Sequence, residues 1–195
     1  INISSTALPT TDSDFREPSR LQSVFQARSV AIVGASADPG KITGRPLAYM
    51  LARGYKGELY PVNPGRAEVQ GLRSYPSIAA IGKPIDLAIV GTAAAHVEAV
   101  VREGIAAGVK AFVIFSSGFA ELDEAGRVLQ TRLSDLAKQH GVVILGPNCL
   151  GIVNSSTGLM ATFTTALESH ELRSGRFSFV SQSGALGAYW MDIVL

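Results

Sequence analysis

Short apolar runs alternate with helical patterns over most of this chain. Five runs are rich in β-branched and other aliphatic residues: SVAIVG, GELYPVN, DLAIVG, KAFVIFS and GVVILG. Between them, the spacing of apolar residues predicts helices over 45–53, 94–107 and 124–140. Apolar strands separated by helices indicate a parallel sheet with both faces covered. The pattern therefore predicts an α/β fold, a Rossmann-like doubly wound domain over residues 21–151.

The two ends of the chain have different patterns. Residues 1–20 are rich in Ser, Thr, Pro and Asp and are expected to form a flexible tail, followed by one helical turn at Leu21, Val24 and Phe25. Ser, Thr and Gly punctuate residues 152–174, which predicts a connector. An apolar run at 176–181 then predicts a strand followed by a helix. We expect residues 175–195 to be the truncated start of a second domain.

Composition narrows the possible partners. The chain has 195 residues, 47% of them hydrophobic, which is enough to bury a full core. It has 17 Lys and Arg against 16 Asp and Glu, so neither nucleic acid nor a membrane surface is expected as a partner. The single cysteine, Cys149, excludes an internal disulfide and is compatible with a cytoplasmic location. No metal site is predicted, and any anion site must be local.

A glycine-rich turn joins the first strand to the first long helix in VAIVGASADPGKITGRPLAYML. A dinucleotide fingerprint needs G-x-G-x-x-G and an acid after the second strand, but the spacing differs and Asn63 stands in place of the acid. A P-loop needs four residues between its glycines, whereas five separate Gly34 and Gly40, and Ile42 follows Lys41. Glycines before a helix N-terminus still favour a phosphate cradle. The alternative is a tight turn without a ligand.

Small and polar residues also follow the other strands, at the sheet edge where ligands bind in such folds. After the second strand, Arg66 is either a bidentate phosphate ligand or a solvated surface residue. The candidates in the remaining turns are Gly91, Thr92, Ser117, Gly118, Asn148 and Cys149. For Cys149, a buried small apolar role is the alternative to ligand contact.

Five strings in the same order, SVAIVGAS, YPVNP, GFAE, GPNCLGIVN and SFVSQSGALG, closely resemble the NDP-forming acyl-CoA synthetases. The CoA-binding part of that family is similar to the α subunit of succinyl-CoA synthetase. The resemblance implies that coenzyme A lies across the carboxyl edge of the sheet. It assigns cofactor binding to Gly34, Ser36, Lys41, Gly44, Asn63, Arg66, Gly91, Thr92, Ser117, Gly118, Asn148 and Cys149. Arg66 replaces a more usual Lys, and a proline common beside Gly91 is absent.

The resemblance also implies a reaction in the full-length parent. The family converts acyl-CoA, NDP and phosphate to free acid, CoA and NTP through an acyl phosphate and a phosphohistidine. The chain's histidines, His96, His140 and His170, stand in no matching motif, so the fragment alone is predicted to be inactive. The nucleophile, and the sites for ATP or ADP and Mg, are expected in a missing C-terminal CoA-ligase domain and an ATP-grasp domain or subunit. The phosphohistidine pocket corresponds to Ser181, Ser183 and Gly184, and the resemblance implies that the second domain, which begins at residue 175, is flavodoxin-like and similar to that of succinyl-CoA synthetase.

Two other functions are compatible with the same motifs. One is a non-catalytic module that senses CoA or a nucleotide and regulates an attached domain, as in fused protein acetyltransferases with a similar front end. The other is an NAD-dependent oxidoreductase, which is disfavoured because Asn63 replaces the acid that would hold the ribose. The acid-thiol ligase is the leading hypothesis.

Overall fold

The apolar runs form five parallel strands in a computed structural model that describes residues 20–168 and 173–194. The strands of this sheet are β1 Ser29–Val33, β2 Glu58–Val62, β5 Leu87–Val90, β6 Ala111–Ile114 and β7 Val143–Leu145, in the order β2-β1-β5-β6-β7. The helices are α1 Gln22–Phe25, α2 Arg45–Ala52, α3 Ala94–Ala106, α4 Glu124–His140 and α5 Gly184–Val194. The predicted fold class is confirmed, and the three long predicted helices match within one residue.

The central strands are apolar throughout because both faces of the sheet are covered. Along β1, Val30 and Ile32 pack in one cluster with side chains of α1 and α2. The alternate residues, Ala31 and Val33, pack in a second cluster with side chains of α3 and α4. Successive side chains of a strand point to opposite faces, so every position of this strand is buried. This is the doubly wound arrangement.

Two antiparallel hairpins are added to the parallel sheet. The first pairs β3 Glu68–Val69 with β4 Leu72–Arg73, and the second pairs β8 Gly151–Asn154 with β9 Leu159–Thr162. The second hairpin lies in the segment for which the sequence predicts a connector. Its residues Leu159, Met160 and Ala161 are buried in the cluster that contains α2. This segment therefore contributes to the core, and the domain boundary at residue 151 stays a prediction.

The C-terminal segment differs from its prediction. Residues 173–183 contain no strand, so the strand predicted over 176–181 is wrong. A strand needs hydrogen bonds to a neighbouring strand, and no described strand pairs with this segment, in which Phe177 is 72% and Val180 92% exposed. The helix predicted after it is present as α5. The tail predicted over residues 1–20 lies almost wholly outside the described residues, as does His170.

Helix α4 has well-defined ends. The carboxylate of Asp123 accepts a hydrogen bond from the N–H of Gly126 at 2.7 Å, which caps the first turn. The helix ends at His140, and Gly141 follows with a positive φ of 65°. The predicted position of His140 at a helix C-terminus, where the dipole favours a cation, is confirmed. Within the described part of the chain, no helix is long and apolar enough to cross a membrane.

The hairpin β8–β9 is expected to be essential for stability. Leu159 is fully buried, so Leu159→Ala should lower the free energy of unfolding by about 2–5 kcal/mol. Leu122 is 70% exposed, and the matched change Leu122→Ala should cost less than about 0.5 kcal/mol. Urea unfolding followed by circular dichroism measures both. Equal effects would show that the hairpin does not belong to the core.

Candidate functional site

The order of the strands reverses between β1 and β5, and ligands of open α/β sheets bind at this point. Gly34 follows β1 with a φ of 83°, and Gly91 follows β5. A Cβ atom on Gly34 would lie 3.2 Å from the carbonyl oxygen of Gly91, and one on Gly91 would collide with the methyl group of Thr43. The two turns therefore meet closely, and side chains at these glycines would separate them.

The turn after β1, residues 34–44, is stabilised by hydrogen bonds between its own polar groups. The hydroxyl of Ser36 accepts from the N–H of Asp38 at 3.1 Å, and the Asp38 carboxylate accepts from the N–H of Gly40 at 2.9 Å. A Cβ atom on Gly44 would collide with the carbonyl oxygen of Asp38. Gly44 is thus required for the close approach at the start of α2. We call residues 34–44 the glycine-rich loop.

The glycine-rich loop leaves several hydrogen-bond donors unused. Within the described residues, the backbone N–H groups of Ala37, Ile42 and Thr43 have no protein acceptor. The exposed side chains of Lys41, in the loop, and Arg66, after β2, likewise have no described partner. Three N–H groups and two cations at the end of a sheet form a donor set suited to phosphate oxygens.

Arg45, at the start of α2, does not belong to this donor set. Its Nε donates to a carboxylate oxygen of Glu168 at 3.1 Å. The hydroxyl of Tyr49 donates to the same carboxylate at 3.1 Å and lies 3.0 Å from the carbonyl oxygen of Thr164. Burial, followed by the hydrogen bond to Glu168, raises the pKa of Tyr49 to about 12. The contacts bind α2 to the segment after β9 and partly neutralise the charge of Arg45.

Asn63 connects the turns after β1 and β2. Its Nδ2 donates to the carbonyl oxygen of Ala35 at 2.9 Å, and its Oδ1 accepts from the N–H of Gly65 at 2.9 Å. A carboxylate is unable to donate the first of these bonds. This contact gives a physical reason for a neutral amide where a dinucleotide-binding domain has an acid. Direct contact of Asn63 with a cofactor stays a prediction.

Gln70 is the residue of this region that the sequence did not reveal. Its Nε2 donates to the carbonyl oxygens of Ser36 at 2.9 Å and Gly44 at 3.0 Å. The adjacent Gln-Gly dipeptide indicates only a turn. The contacts join residues 26 and 34 positions apart, a distance over which a single sequence gives no pattern.

The turns after β5, β6 and β7 are also linked to one another. The hydroxyl of Ser116 donates to the carbonyl oxygen of Thr92 at 2.5 Å, and the N–H of Asn148 donates to the carbonyl oxygen of Ser116 at 2.9 Å. Gly118 lies beside the start of α3, where an added Cβ would be 3.4 Å from Ala94. The hydroxyl oxygen of Thr92 is buried and has no hydrogen-bond partner among the residues that the structure describes. An unpartnered buried hydroxyl at this edge fits a polar ligand.

The remaining predicted residues of these turns differ in exposure. Ser117 is exposed, whereas the sulfur of Cys149 lies 3.4 Å from the carbonyl oxygen of Ile114. Burial raises the pKa of the Cys149 thiol, which therefore stays protonated and donates to the backbone. Glu121 closes its turn: its carboxylate accepts from the N–H of Gly118 at 2.7 Å, and this bond lowers its pKa. Contact of Cys149 with a cofactor stays a prediction.

Ser181, Ser183 and Gly184 form the start of α5. The hydroxyl of Ser183 accepts from the N–H of Leu186 at 3.2 Å, and that of Ser181 accepts from the N–H of Ser183 at 3.1 Å. The Ser183 side chain therefore caps the helix, and that of Ser181 closes the turn before it. A Cβ on Gly184 would lie 3.5 Å from Leu150, so this helix start adjoins the turn after β7. Its role as a phosphohistidine pocket stays a prediction.

A groove of about 690 Å³ lies at the opposite edge of the sheet, at the amino ends of the strands. Its lining consists of Arg20, Gln22, Ser23, Gln26, Arg28, Asp86, Ile105, Gly108, Val109, Lys110, His140, Gly141 and Val142. None of these residues belongs to the carboxyl-edge turns. Because ligands of doubly wound sheets bind at the carboxyl ends, we place the candidate site there despite the size of this groove.

Comparison with known families gives a match over more than half of the chain. Residues 28–155 match the family model described as CoA binding domain. The chain belongs to this CoA-binding family. The matched region of the CoA-binding domain contains every predicted cofactor-binding residue, whereas Ser181, Ser183 and Gly184 lie outside it.

The relatives of this CoA-binding domain are larger proteins. The α subunit of ADP-forming acetate–CoA ligase II of Pyrococcus furiosus is 40% identical over 84% of this chain and 35% of its own length. ADP-forming 4-hydroxybutyrate–CoA ligase of Nitrosopumilus maritimus is 34% identical over 85% of the chain and 23% of its own length. Acetyl-coenzyme A synthetase 1 of Ca. Korarchaeum cryptofilum, solved with phosphate and ADP, is 36% identical with a TM-score of 0.81, covering 89% of this chain and 36% of that one. The chain thus spans about a third or less of these relatives.

The Asn63 contact of the CoA-binding domain gives a prediction about charge. In Asn63→Asp the introduced carboxylate would face the carbonyl oxygen of Ala35, so the free energy of unfolding should fall by about 1–3 kcal/mol at neutral pH. Protonation supplies a donor, so the deficit should shrink as the pH falls toward about 4. Urea unfolding at several pH values measures this.

Asn148→Asp is the matched control for Asn63→Asp. The Asn148 side chain is exposed and makes no hydrogen bond to the described residues. The substitution Asn148→Asp should change the free energy of unfolding little at any of these pH values. A deficit of the same size in both variants, or one independent of pH for Asn63→Asp, would contradict the role given to the Asn63 amide.

Proposed function

We propose that this domain binds coenzyme A along the carboxyl edge of the sheet, as the CoA-binding portion of an ADP-forming acid–CoA ligase. Such a ligase interconverts acyl-CoA, NDP and phosphate with free acid, CoA and NTP. The observation that carries the proposal is the unused donor set at the switch point, in a chain whose relatives are named ADP-forming CoA ligases. Coenzyme A, when bound, supplies the thiol that carries an acyl group as a thioester.

The phosphates of coenzyme A are assigned to the side of the site formed by the glycine-rich loop. Lys41 and Arg66 supply two cations whose side chains have no partner in the described part of the chain, and the loop supplies three N–H groups. Charge-assisted hydrogen bonds to phosphate are stronger than neutral ones. The carboxylate of Asp38 already accepts from the N–H of Gly40, so it competes less with a bound anion for the other donors of the loop. This side therefore offers positive charge in a chain whose overall charge is nearly balanced.

The pantetheine arm is assigned to the turns after β5, β6 and β7, whose predicted cofactor-binding residues are small and uncharged. The unpartnered hydroxyl of Thr92 suits an amide of that arm. Gly118 and Asn148 have positive φ values of 98° and 54° and form an open turn surface. The thiol of Cys149 is neutral and bonded to the backbone, so it is a packing group at the end of the site rather than a nucleophile.

The ligase activity is proposed for the whole protein to which this domain belongs. The two serines that open α5 supply one wall of a phosphate or phosphohistidine pocket, where the free N–H groups of the helix start suit an anion. The histidine nucleophile, ATP or ADP with Mg, and their binding residues are assigned to a CoA-ligase domain and an ATP-grasp domain or subunit. A purely regulatory CoA sensor is disfavoured, because the relatives reported above are named ligases and synthetases.

Calorimetry separates the proposed ligand from a dinucleotide. CoA should bind with one site per chain and raise the melting temperature by mass action, whereas NADH should bind much more weakly because Asn63 replaces the ribose-binding acid. Titration of both ligands into the same preparation measures the difference. Binding of NADH alone would overturn the proposal.

Arg66 is expected to recognise the nucleotide phosphate of CoA. Removing a charge-assisted hydrogen bond in Arg66→Ala should weaken CoA binding about tenfold. Binding of dephospho-CoA, which lacks the 3′-phosphate, should change less. Arg102→Ala removes an exposed arginine paired with Glu98 on α3 and is the control. Equal losses for CoA and dephospho-CoA would show that Arg66 does not contact the 3′-phosphate.

A further inference from the structure

Gln70 lies in a hairpin turn that is unfavourable for its residue type. It joins β3 to β4 together with Gly71, and both residues have positive φ values, 50° and 82°. Two-residue turns of this kind favour Asn or Gly at the first position, because other side chains are strained there. A longer amide therefore occupies a position that a shorter one would fill at lower cost. The contacts of its side chain suggest what the extra length provides.

The hairpin that carries Gln70 is firmly attached to the end of β2. The N–H of Tyr75 donates to the carbonyl oxygen of Pro61 at 2.9 Å, and the N–H of Asn63 donates to that of Tyr75 at 2.9 Å. Val69, the residue before the turn, is fully buried. The amide group of Gln70 thus extends from a fixed base toward the glycine-rich loop.

Both hydrogen atoms of the Gln70 amide nitrogen are used. One bond goes to Ser36, near the start of the glycine-rich loop, and the other to Gly44, at its end. The carbonyl oxygen of Gly44 also accepts from the N–H of Ala48 in the first turn of α2. One side chain therefore fixes both ends of the loop and joins it to the start of the helix.

The bond to Ser36 also determines the orientation of a donor. The carbonyl of Ser36 and the N–H of Ala37 belong to one planar trans peptide, in which they point in opposite directions. Because Gln70 holds the carbonyl, the Ala37 N–H faces away from the hairpin. This N–H is one of the donors that have no acceptor within the described residues.

We propose that Gln70 is a positioning residue for phosphate recognition, whose amide holds the glycine-rich loop with its free N–H groups directed at the ligand. The proposal rests on the proposed function, since the phosphates concerned are those of coenzyme A. Gln70 acts through the loop, and its own donors are already occupied. It thus serves the phosphate end of the ligand without contacting it.

Two variants remove the contacts and preserve the turn. Gln70→Gly suits the positive φ and has no amide, while Gln70→Asn keeps an amide that is one methylene too short. In both, relief of backbone strain offsets the lost hydrogen bonds, so stability should change less than binding. The dissociation constant for CoA, measured by calorimetry, should rise about tenfold. Glu68→Asp, an exposed change in the same hairpin that keeps the charge, should leave it unchanged.

Gln70→Glu supplies a readout that a simple loss of structure does not reproduce. At neutral pH its carboxylate has no donor and faces two carbonyl oxygens, so CoA binding should be weaker than in Gln70→Gly. Toward about pH 4 the carboxyl group gains a proton and can donate one hydrogen bond. The CoA affinity of Gln70→Glu, relative to that of the unsubstituted protein at the same pH, should then rise above the relative affinity of Gln70→Gly. The proposal would be overturned if the relative CoA affinity of Gln70→Glu stayed below that of Gln70→Gly at every pH.

The experiment distinguishes two failures. If the unsubstituted protein does not bind CoA, the proposed function fails and the role of Gln70 fails with it. If the unsubstituted protein binds CoA and Gln70→Gly binds it equally well, only the positioning role is overturned, and the CoA site stands.

Discussion

The close approach of Gly34 and Gly91 is the constraint on which the site depends. The chain leaves β1 toward β2 on one side and returns to β5 on the other, so the two turns diverge from neighbouring strands at one point. A crevice at that point exists only if the backbones meet without side chains between them. Gly34 provides a positive φ and Gly91 provides space for the methyl group of Thr43. The remaining turns are then joined to this pair by hydrogen bonds.

Neutral groups connect the turns of the site to one another, and two cations are left for the ligand. Asn63, Gln70 and Ser116 each use an amide or hydroxyl to connect one turn to another. The side chains of Lys41 and Arg66 make no hydrogen bond or ion pair within the described residues. A cation that forms an ion pair within the protein is neutralised by its partner. Because amides and a hydroxyl connect the turns instead, positive charge is preserved where an anion is to bind. The same reasoning explains why an amide at residue 63 is compatible with a phosphate site.

The sequence predicted the parts of the structure that depend on local pattern. All five parallel strands and three long helices follow from runs of apolar residues and their spacing, because a buried strand and an amphipathic helix have characteristic periods. The hairpin β8–β9 was missed because its strands have four residues each and the Ser, Thr and Gly residues of the turn between them are typical of a connector, while the burial of the strands depends on contact with α2. The strand at 176–181 was wrongly predicted because an apolar run does not reveal whether a partner strand lies beside it. The role of Gln70 was not predicted either, because its contacts join residues that are far apart in the sequence.

Helix α2 is held at its start from two directions, and this arrangement assigns different roles to neighbouring cations. Gln70 bonds to Gly44 on one side, while Glu168 bonds to Arg45 and Tyr49 on the other. Arg45 is therefore committed to orienting the helix, and its charge is partly neutralised by Glu168. Lys41 lies one turn earlier in the loop and has no such partner among the described residues. Lys41 and Arg45 are four positions apart, yet Arg45 stabilises the protein and Lys41 is available to the phosphate. The sequence GKITGR alone does not distinguish these two roles.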